Sequence, residues 1–406
     1  MWRLGFFFHE MAFGLISVFI PLYVVLQLHG SLVELGIMTS LGLFCGIPAS
    51  FFWGYICDKT RRYKIYILLS FISAASILYA YTLTTSVFIF IVLYIVMQML
   101  HVAHESPKNV LIAEHYSREE WEKSYSGYEG ITEIGWFIGL LLGLVTAVYS
   151  LSATYTLYLC AALNLTAFVL SIFLVVDPLM IFERHLVGIE RRIDFTYRGV
   201  ESASQLMDGY SSGGAPKQET FLAFGIALIF FMLGTNMLFT PLPIFFEKQL
   251  NFSRTMVFLV YMLNSAGSML GYFTASRSSV YSNAKTNMRR IIFLRGTLVF
   301  LLVAVARLAV SPMFFAGLIL ISLGFAYAVY YILTLTLSME LLPPGHNAIF
   351  DVLVGLGAAS GSFLGPYLAQ TIGAAITSLT GYITTFLIAG VLFFISLVLI
   401  WISTKT

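Results

Sequence analysis

The sequence predicts an all-α polytopic membrane protein, with twelve transmembrane helices arranged as two six-helix bundles. Three observations predict it. First, 59% of the 406 residues are hydrophobic and only 10% are charged, less than half of the roughly 25% typical of soluble domains. Second, twelve stretches reach the ~20 apolar residues that a spanning helix needs. Third, sequence anchors in the first half recur in the second at a nearly constant offset. A mean hydropathy of +0.88 excludes a disordered chain. A net charge of +2 gives no nucleic-acid footprint. Cys45, Cys57 and Cys160 are scattered through apolar runs and form neither a disulfide framework nor a CxxC site.

In chain order the expected spans are 4–27, 32–56, 64–84, 87–112, 125–149, 153–176, 219–246, 254–275, 290–310, 313–338, 347–369 and 376–403. His29-Gly30-Ser31 and Thr84-Thr85-Ser86 read as tight turns between helices. The first stretch exceeds a signal-peptide core and lacks a small-residue cleavage site after it, so it is expected to be retained. Residues 177–218 form the one long polar connection. Leu186, Ile189 and Ile193 share a face there, as in a helix lying in the membrane interface. Tyr210 to Pro216 then reads as a flexible linker. The chain therefore divides into 1–176, the connection 177–218, and 219–406. With the N-terminus cytoplasmic, all but four of the 22 basic residues fall on the cytoplasmic side or at its boundary. Both termini are expected there, in the cell membrane.

The two halves repeat. Phe19-Ile20-Pro21-Leu22-Tyr23 in span one is echoed by Phe239-Thr240-Pro241-Leu242-Pro243 in span seven, and Gly54-Tyr55 by Gly271-Tyr272. Glu129, Gly135, Gly139 and Gly143 in span five match Asp351, Gly357, Gly361 and Gly365 in span eleven, with identical spacing. Glycine every fourth residue lets helices approach closely, so these are read as packing surfaces. Parallel repeats of this kind place a substrate site between the halves.

The segment after span two runs Gly54-Tyr55-Ile56-Cys57-Asp58-Lys59-Thr60-Arg61-Arg62-Tyr63-Lys64. A glycine, an acid four residues later and a basic cluster resemble the signature of the major facilitator superfamily. Together with the span count, the long central connection and the repeat, the resemblance covers nearly the whole chain. Two positions depart from it: Arg61 stands where the family has a second glycine, and Tyr63 at a usual basic position. The matching segment Gly271–Arg277 has no acid. The resemblance implies secondary transport, with spans one, four, seven and ten lining a central cavity. It also implies a cytoplasmic gate of Gly54, Asp58, Arg62 and Glu114. In that gate Asp58 faces the start of span eleven near Asn347, where a helix dipole favours negative charge, and Arg62 pairs with Glu114.

Ionisable groups inside spans are costly and mark function by default. Span one carries His9 and Glu10, the latter about 9 Å above the helix start. Gly14, Ser17 and Pro21 follow on a similar face. In span four His101, His104, Glu105 and Lys108 fall within an arc of about 100°, and Pro107 loosens the local ladder. Glu10, Glu105, His101 and His104 are the candidate proton carriers. His9, Lys108, Asn236, Tyr327, Tyr331 and Thr334 are the candidate cavity residues, with Thr235, Thr240 and Tyr330 nearby. The plainer readings are that Lys108 snorkels, that His101 and Glu105 neutralise each other, and that the tyrosines anchor at the interface. Arg295 and Arg307, near opposite ends of span nine, are expected to snorkel. Glu129 and Glu133 are left between facing the cavity and pairing with Lys123.

The leading expectation is proton-coupled transport by alternating access, exporting a lipophilic or cationic small molecule held by acids and aromatic rings. Its runner-up is proton-driven uptake of a small organic acid or sugar. An intramembrane enzyme and a non-transporting sensor rank below. His9-Glu10-Met11-Ala12-Phe13 lacks the second histidine of HExxH, and there is no GxSxG or Gly-Lys-Ser/Thr loop. The expected partners are a small solute, protons and lipid. No cofactor or metal is expected, and a monomer suffices because one chain completes the cavity.

Overall fold

The computed structural model describes residues 2–115, 121–177, 217–275, 284–306, 311–341 and 347–403. Every regular element among them is helical. The expected interfacial helix and linker, Arg307 and Arg277 lie outside the described residues, as do the side chains of Glu114 and Lys123.

Each expected span is present, several with informative irregularities. Span one is a helix over Arg3–Leu22 that widens into a π-helical turn over Tyr23–Gln27, just past Pro21. Its repeat partner, span seven, runs over Lys217–Phe239, stops at Thr240-Pro241 and resumes over Leu242–Lys248. The shared proline disturbs both helices at the same depth because it removes one backbone donor and crowds the preceding turn. Span two covers Leu32–Thr60, opened by a capping box in which Ser31 and Glu34 satisfy each other's backbone amides. Cys57 to Thr60 are thus helical, so span two runs one turn past its expected end at residue 56. The chain turns at Arg61, which adopts φ 56°, and Tyr63–Tyr81 forms span three. Span four is Val87–His101 and Glu105–His115, joined by a 3₁₀ turn over Val102–His104. That turn lies where Pro107 displaces the carbonyl four residues before it.

Spans five and six are Trp121–Val148 and Ala153–Leu174. Spans eight to twelve are Arg254–Ala275, Ala284–Val305, Pro312–Leu341, Asn347–Ala375 and Ser378–Ser403. Eleven of the twelve are long and apolar enough to cross a membrane. The exception is span nine, which carries Lys285, Arg289, Arg290 and Arg295.

The repeat survives as packing. A Cβ on Gly135 or Gly139 of span five would collide with the Phe7 or Met11 carbonyl of span one. On Gly357 or Gly361 of span eleven it would meet the Ile229 or Leu233 carbonyl of span seven. Both partners and both glycines are 222 residues on, so the same close crossing is built twice. Between the halves, span five packs on span eight and span eleven on span two. Span one also reaches span eight and the Leu242–Lys248 part of span seven across the halves.

Candidate functional site

The polar heart of the first half is a hydrogen-bonded cluster inside the bundle. His9 is fully buried, with Nδ1 2.6 Å from Asn164 Oδ1 of span six. Asn164 Nδ2 donates to the Cys160 carbonyl at 3.0 Å, which turns its oxygen toward His9, so His9 Nδ1 must be the donor. His9 Nε2 is then an acceptor and takes the Nδ1–H of His101 at 3.0 Å. Ser70 of span three donates to the His101 carbonyl at 3.0 Å and so accepts from His104 Nδ1, also at 3.0 Å. His104 Nε2 faces Glu105 Oε1 at 3.3 Å, a contact that becomes a hydrogen bond when a proton lies between them. Glu105 also pairs with Lys108. Lys108 is buried over the Tyr128 ring, 5.5 Å from its centroid, and does not snorkel.

The four span-four residues read as one face therefore divide. His101 and His104 turn into the half against spans one and three, whereas Glu105 is 40% exposed at its side chain. His9 too lies inside the half, packed between Phe13 and Phe71. Asn164 and Ser70 complete this cluster without having been picked out from the sequence. Asn164 carried a signal as the lone amide in an otherwise apolar span; Ser70, one serine among several, carried none.

The three imidazoles hold ring nitrogens within 4.8 Å of one another, close enough to suggest a metal. The geometry favours direct hydrogen bonding between imidazoles over a shared ion. Two nitrogens on a tetrahedral zinc with bonds of 2.0–2.1 Å stand about 3.3–3.4 Å apart. His9 and His101 approach to 3.0 Å with rings only 21° from parallel, directing their nitrogens at each other.

A second group faces the other half. Glu10, half-buried, takes no hydrogen bond or ion pair among the described residues. It shares an electrostatic environment with Lys108, Glu105, Glu129 and Glu133. Glu133, left open by the sequence, accepts a 2.6 Å hydrogen bond from Ser265 of span eight. Opposite stand Tyr327 and Tyr331, stacked at 6.2 Å, together with Tyr272, within electrostatic reach of Glu129. Asn236 is half-buried, its Nδ2 bonded to the Met232 carbonyl at 3.0 Å and its Oδ1 accepting from Ser362 at 3.4 Å. Thr334 is buried and spends its hydroxyl on the Tyr330 carbonyl at 2.7 Å.

Span nine corrects one expectation. Arg295 does not snorkel. It is fully buried, donating to the Leu323 carbonyl at 3.0 Å and to Thr235 Oγ1 at 3.4 Å. Its position five residues past Arg290 disguised it as the continuation of a basic helix end.

The residues expected to form a gate lie where span two ends. Gly54 and Asp58 occupy its last turns, and Arg62 begins span three. The described part of span eleven opens at Asn347.

Comparison with known proteins fits this architecture. No curated protein matches the chain. Among solved structures, the nucleoside transporter NupG superposes with a TM-score of 0.74 at 12% identity, covering 100% of this chain and 98% of that one. The human organic anion transporter MFSD10 (TETRAN) gives 0.68 at 15% identity, covering 98% and 97%. The family model described as Major Facilitator Superfamily matches residues 4–366. This chain is a multi-pass membrane transporter of small solutes and belongs to the Major Facilitator Superfamily.

Proposed function

We propose that the protein is a proton-coupled secondary transporter that moves a small organic solute by rocking its two six-span halves about a central site. The observation that carries this reading is the Ser265–Glu133 hydrogen bond, which joins span eight of one half to span five of the other. An ionised Glu133 accepts that bond on a full charge. A protonated one offers a weaker acceptor and gains a donor of its own, so the proton changes the balance between two arrangements of the halves. Glu10 stands one helix away with no hydrogen bond or ion pair among the described residues, and His104, held by Ser70, faces Glu105. Ionisable groups so placed in a membrane interior are the usual materials of a proton path. Asp58 and Arg62 serve as the latch on the cytoplasmic side, the side that the bias of basic residues assigns to both termini.

The fixed cation Arg295 and the neutralisation of Glu105 by Lys108 support uptake or exchange of an organic anion over the cationic exporter that the sequence suggested. Export of a lipophilic cation is the second reading, supported by the unpaired Glu10 and the tyrosine wall.

Protein reconstituted in liposomes enclosing a pH-sensitive dye tests the coupling. Added solute should move protons in wild type, whereas Glu133→Gln should keep solute exchange and lose most net proton movement. Proton movement equal to wild type in Glu133→Gln overturns the role of Glu133. Asp58→Asn in the same liposomes should slow flux, and unchanged flux removes the latch.

A further inference from the structure

Arg295 lies five residues past Arg290, about 7–8 Å deeper along the axis of span nine than that basic helix end, and so inside the hydrocarbon layer. Its guanidinium is boxed by four rings: Phe231 at 5.2 Å, Phe239 at 5.7 Å, Tyr327 at 5.1 Å and Phe393 at 5.4 Å. A guanidinium has five N–H donors. Nη1 is satisfied by the Leu323 carbonyl and Nη2 by Thr235, whose own hydrogen goes to the Phe231 carbonyl at 2.9 Å. Nε is buried with no acceptor. Among the described residues no carboxylate pairs with Arg295, and its electrostatic neighbours are the hydroxyls of Tyr327 and Tyr330. Attraction to ring faces offsets only part of the cost of taking a full charge out of water. Among the described residues, the interior of the second half thus holds a permanent cation with an orphaned donor and no counter-ion.

The box has one wall on the central space. Tyr327 is half-buried, stacks on Tyr331, and lies within electrostatic reach of Glu129 and Glu133 of the opposite half. A turn of this one ring would remove the wall that separates Arg295 from the facing residues of the opposite half. The free edge of the guanidinium then offers the planar fork that receives a carboxylate through two parallel bonds. The rings around it would flank a flat apolar body.

We propose that Arg295 is the anion-binding residue of the solute site, and that the solute carries a carboxylate on an aromatic or similarly flat apolar frame. The proposal rests on the transport reading and names the substrate class within it.

The test is thermal unfolding of the detergent-purified chain at constant chloride with millimolar benzoate, benzamide or benzylammonium, since a ligand of the folded state raises the melting temperature. Benzoate is expected to stabilise, and the neutral and cationic analogues are not. In Arg295→Met an unbranched apolar chain fills the box without a buried charge. That variant is expected to melt no lower than wild type and to bind benzoate more weakly by on the order of thirtyfold or more. Arg295→Lys, which keeps the charge and loses the fork, is the second variant, expected to fold and to weaken benzoate as well. Four results overturn the proposal: no benzoate shift in wild type, equal shifts with benzoate and benzamide, a benzoate shift that survives Arg295→Met, or a shift produced by raising chloride alone. Melting requires no gradient, which separates the two readings. Benzoate bound through Arg295 in a chain that moves no solute in liposomes would sink transport and leave the anion site. Flux indifferent to Arg295→Met would do the reverse.

Discussion

The backbone carbonyls of His101 and Leu323 stand 222 residues apart, the same interval that relates the glycine crossings of spans five and eleven. Each accepts a bond from the third span of its own half. In the first half the donor is Ser70, at 3.0 Å; in the second it is Arg295, also at 3.0 Å. Around Ser70 two short hydrogen-bond runs meet at His101: His104 donates through Ser70 to the His101 backbone carbonyl, and the His101 ring donates through His9 to Asn164. Around Arg295 there are rings and one orphaned donor. The residue 222 places after His9 is Phe231, so a hydrogen-bonded imidazole in one half becomes a cation-facing phenyl in the other. Duplication preserved helix crossings and the position of an open carbonyl. It left the side-chain chemistry free to diverge, into a hydrogen-bonded imidazole cluster in one half and a fixed charge in the other.

The largest effect should come from breaking what the halves share. Gly139→Leu and Gly361→Leu each force a side chain into the backbone of the neighbouring span, Met11 in one case and Leu233 in the other. Each should cost about 3 kcal/mol or more, since neither backbone can yield without reopening its crossing. The check is recovery of monodisperse protein on size-exclusion chromatography. Loss in one half with tolerance in the other would show that only one crossing carries weight.

A smaller effect should expose what the halves do not share. Asn164→Ala leaves the buried His9 Nδ1–H without its acceptor and should destabilise by about 1–3 kcal/mol. Arg295→Met, by contrast, is expected to leave the melting temperature level or raise it. If Asn164→Ala melts like wild type, the first half's network is not held by that bond.

The smallest expected effect lies at the turn after span two. Arg61 occupies a left-handed conformation with φ 56°, its amide bonded to the Cys57 carbonyl at 2.8 Å. That is the position after a helix end where glycine carries no Cβ penalty. Arg61→Gly should raise stability by about 1 kcal/mol, read as a small upward shift in melting temperature. The departure from the family signature is therefore a small local strain that the packing on either side tolerates.

Much of the fold was legible because a bilayer imposes length and polarity on each helix directly. The spans, the turns at His29 and Thr84, and the repeat all follow from strings of residues without reference to neighbours. Glu10, Glu105 and the histidines stood out for the same reason, since a titratable group in an apolar run is conspicuous wherever it points.

Direction is what the sequence lacked. The helical wheel put His101, His104, Glu105 and Lys108 on one face, but the 3₁₀ turn at Val102–His104 and the arrival of spans one and three divided them between bundle interior and cavity. Glu133 gained its importance from Ser265, 132 residues away, and no local pattern encodes such a pairing. Arg295 looked like the end of a basic helix until spans seven, ten and twelve closed around it. Hydropathy is a property of one segment and was settled by the sequence itself. What a side chain faces is a property of the segments packed against it, and only the tertiary structure decided that.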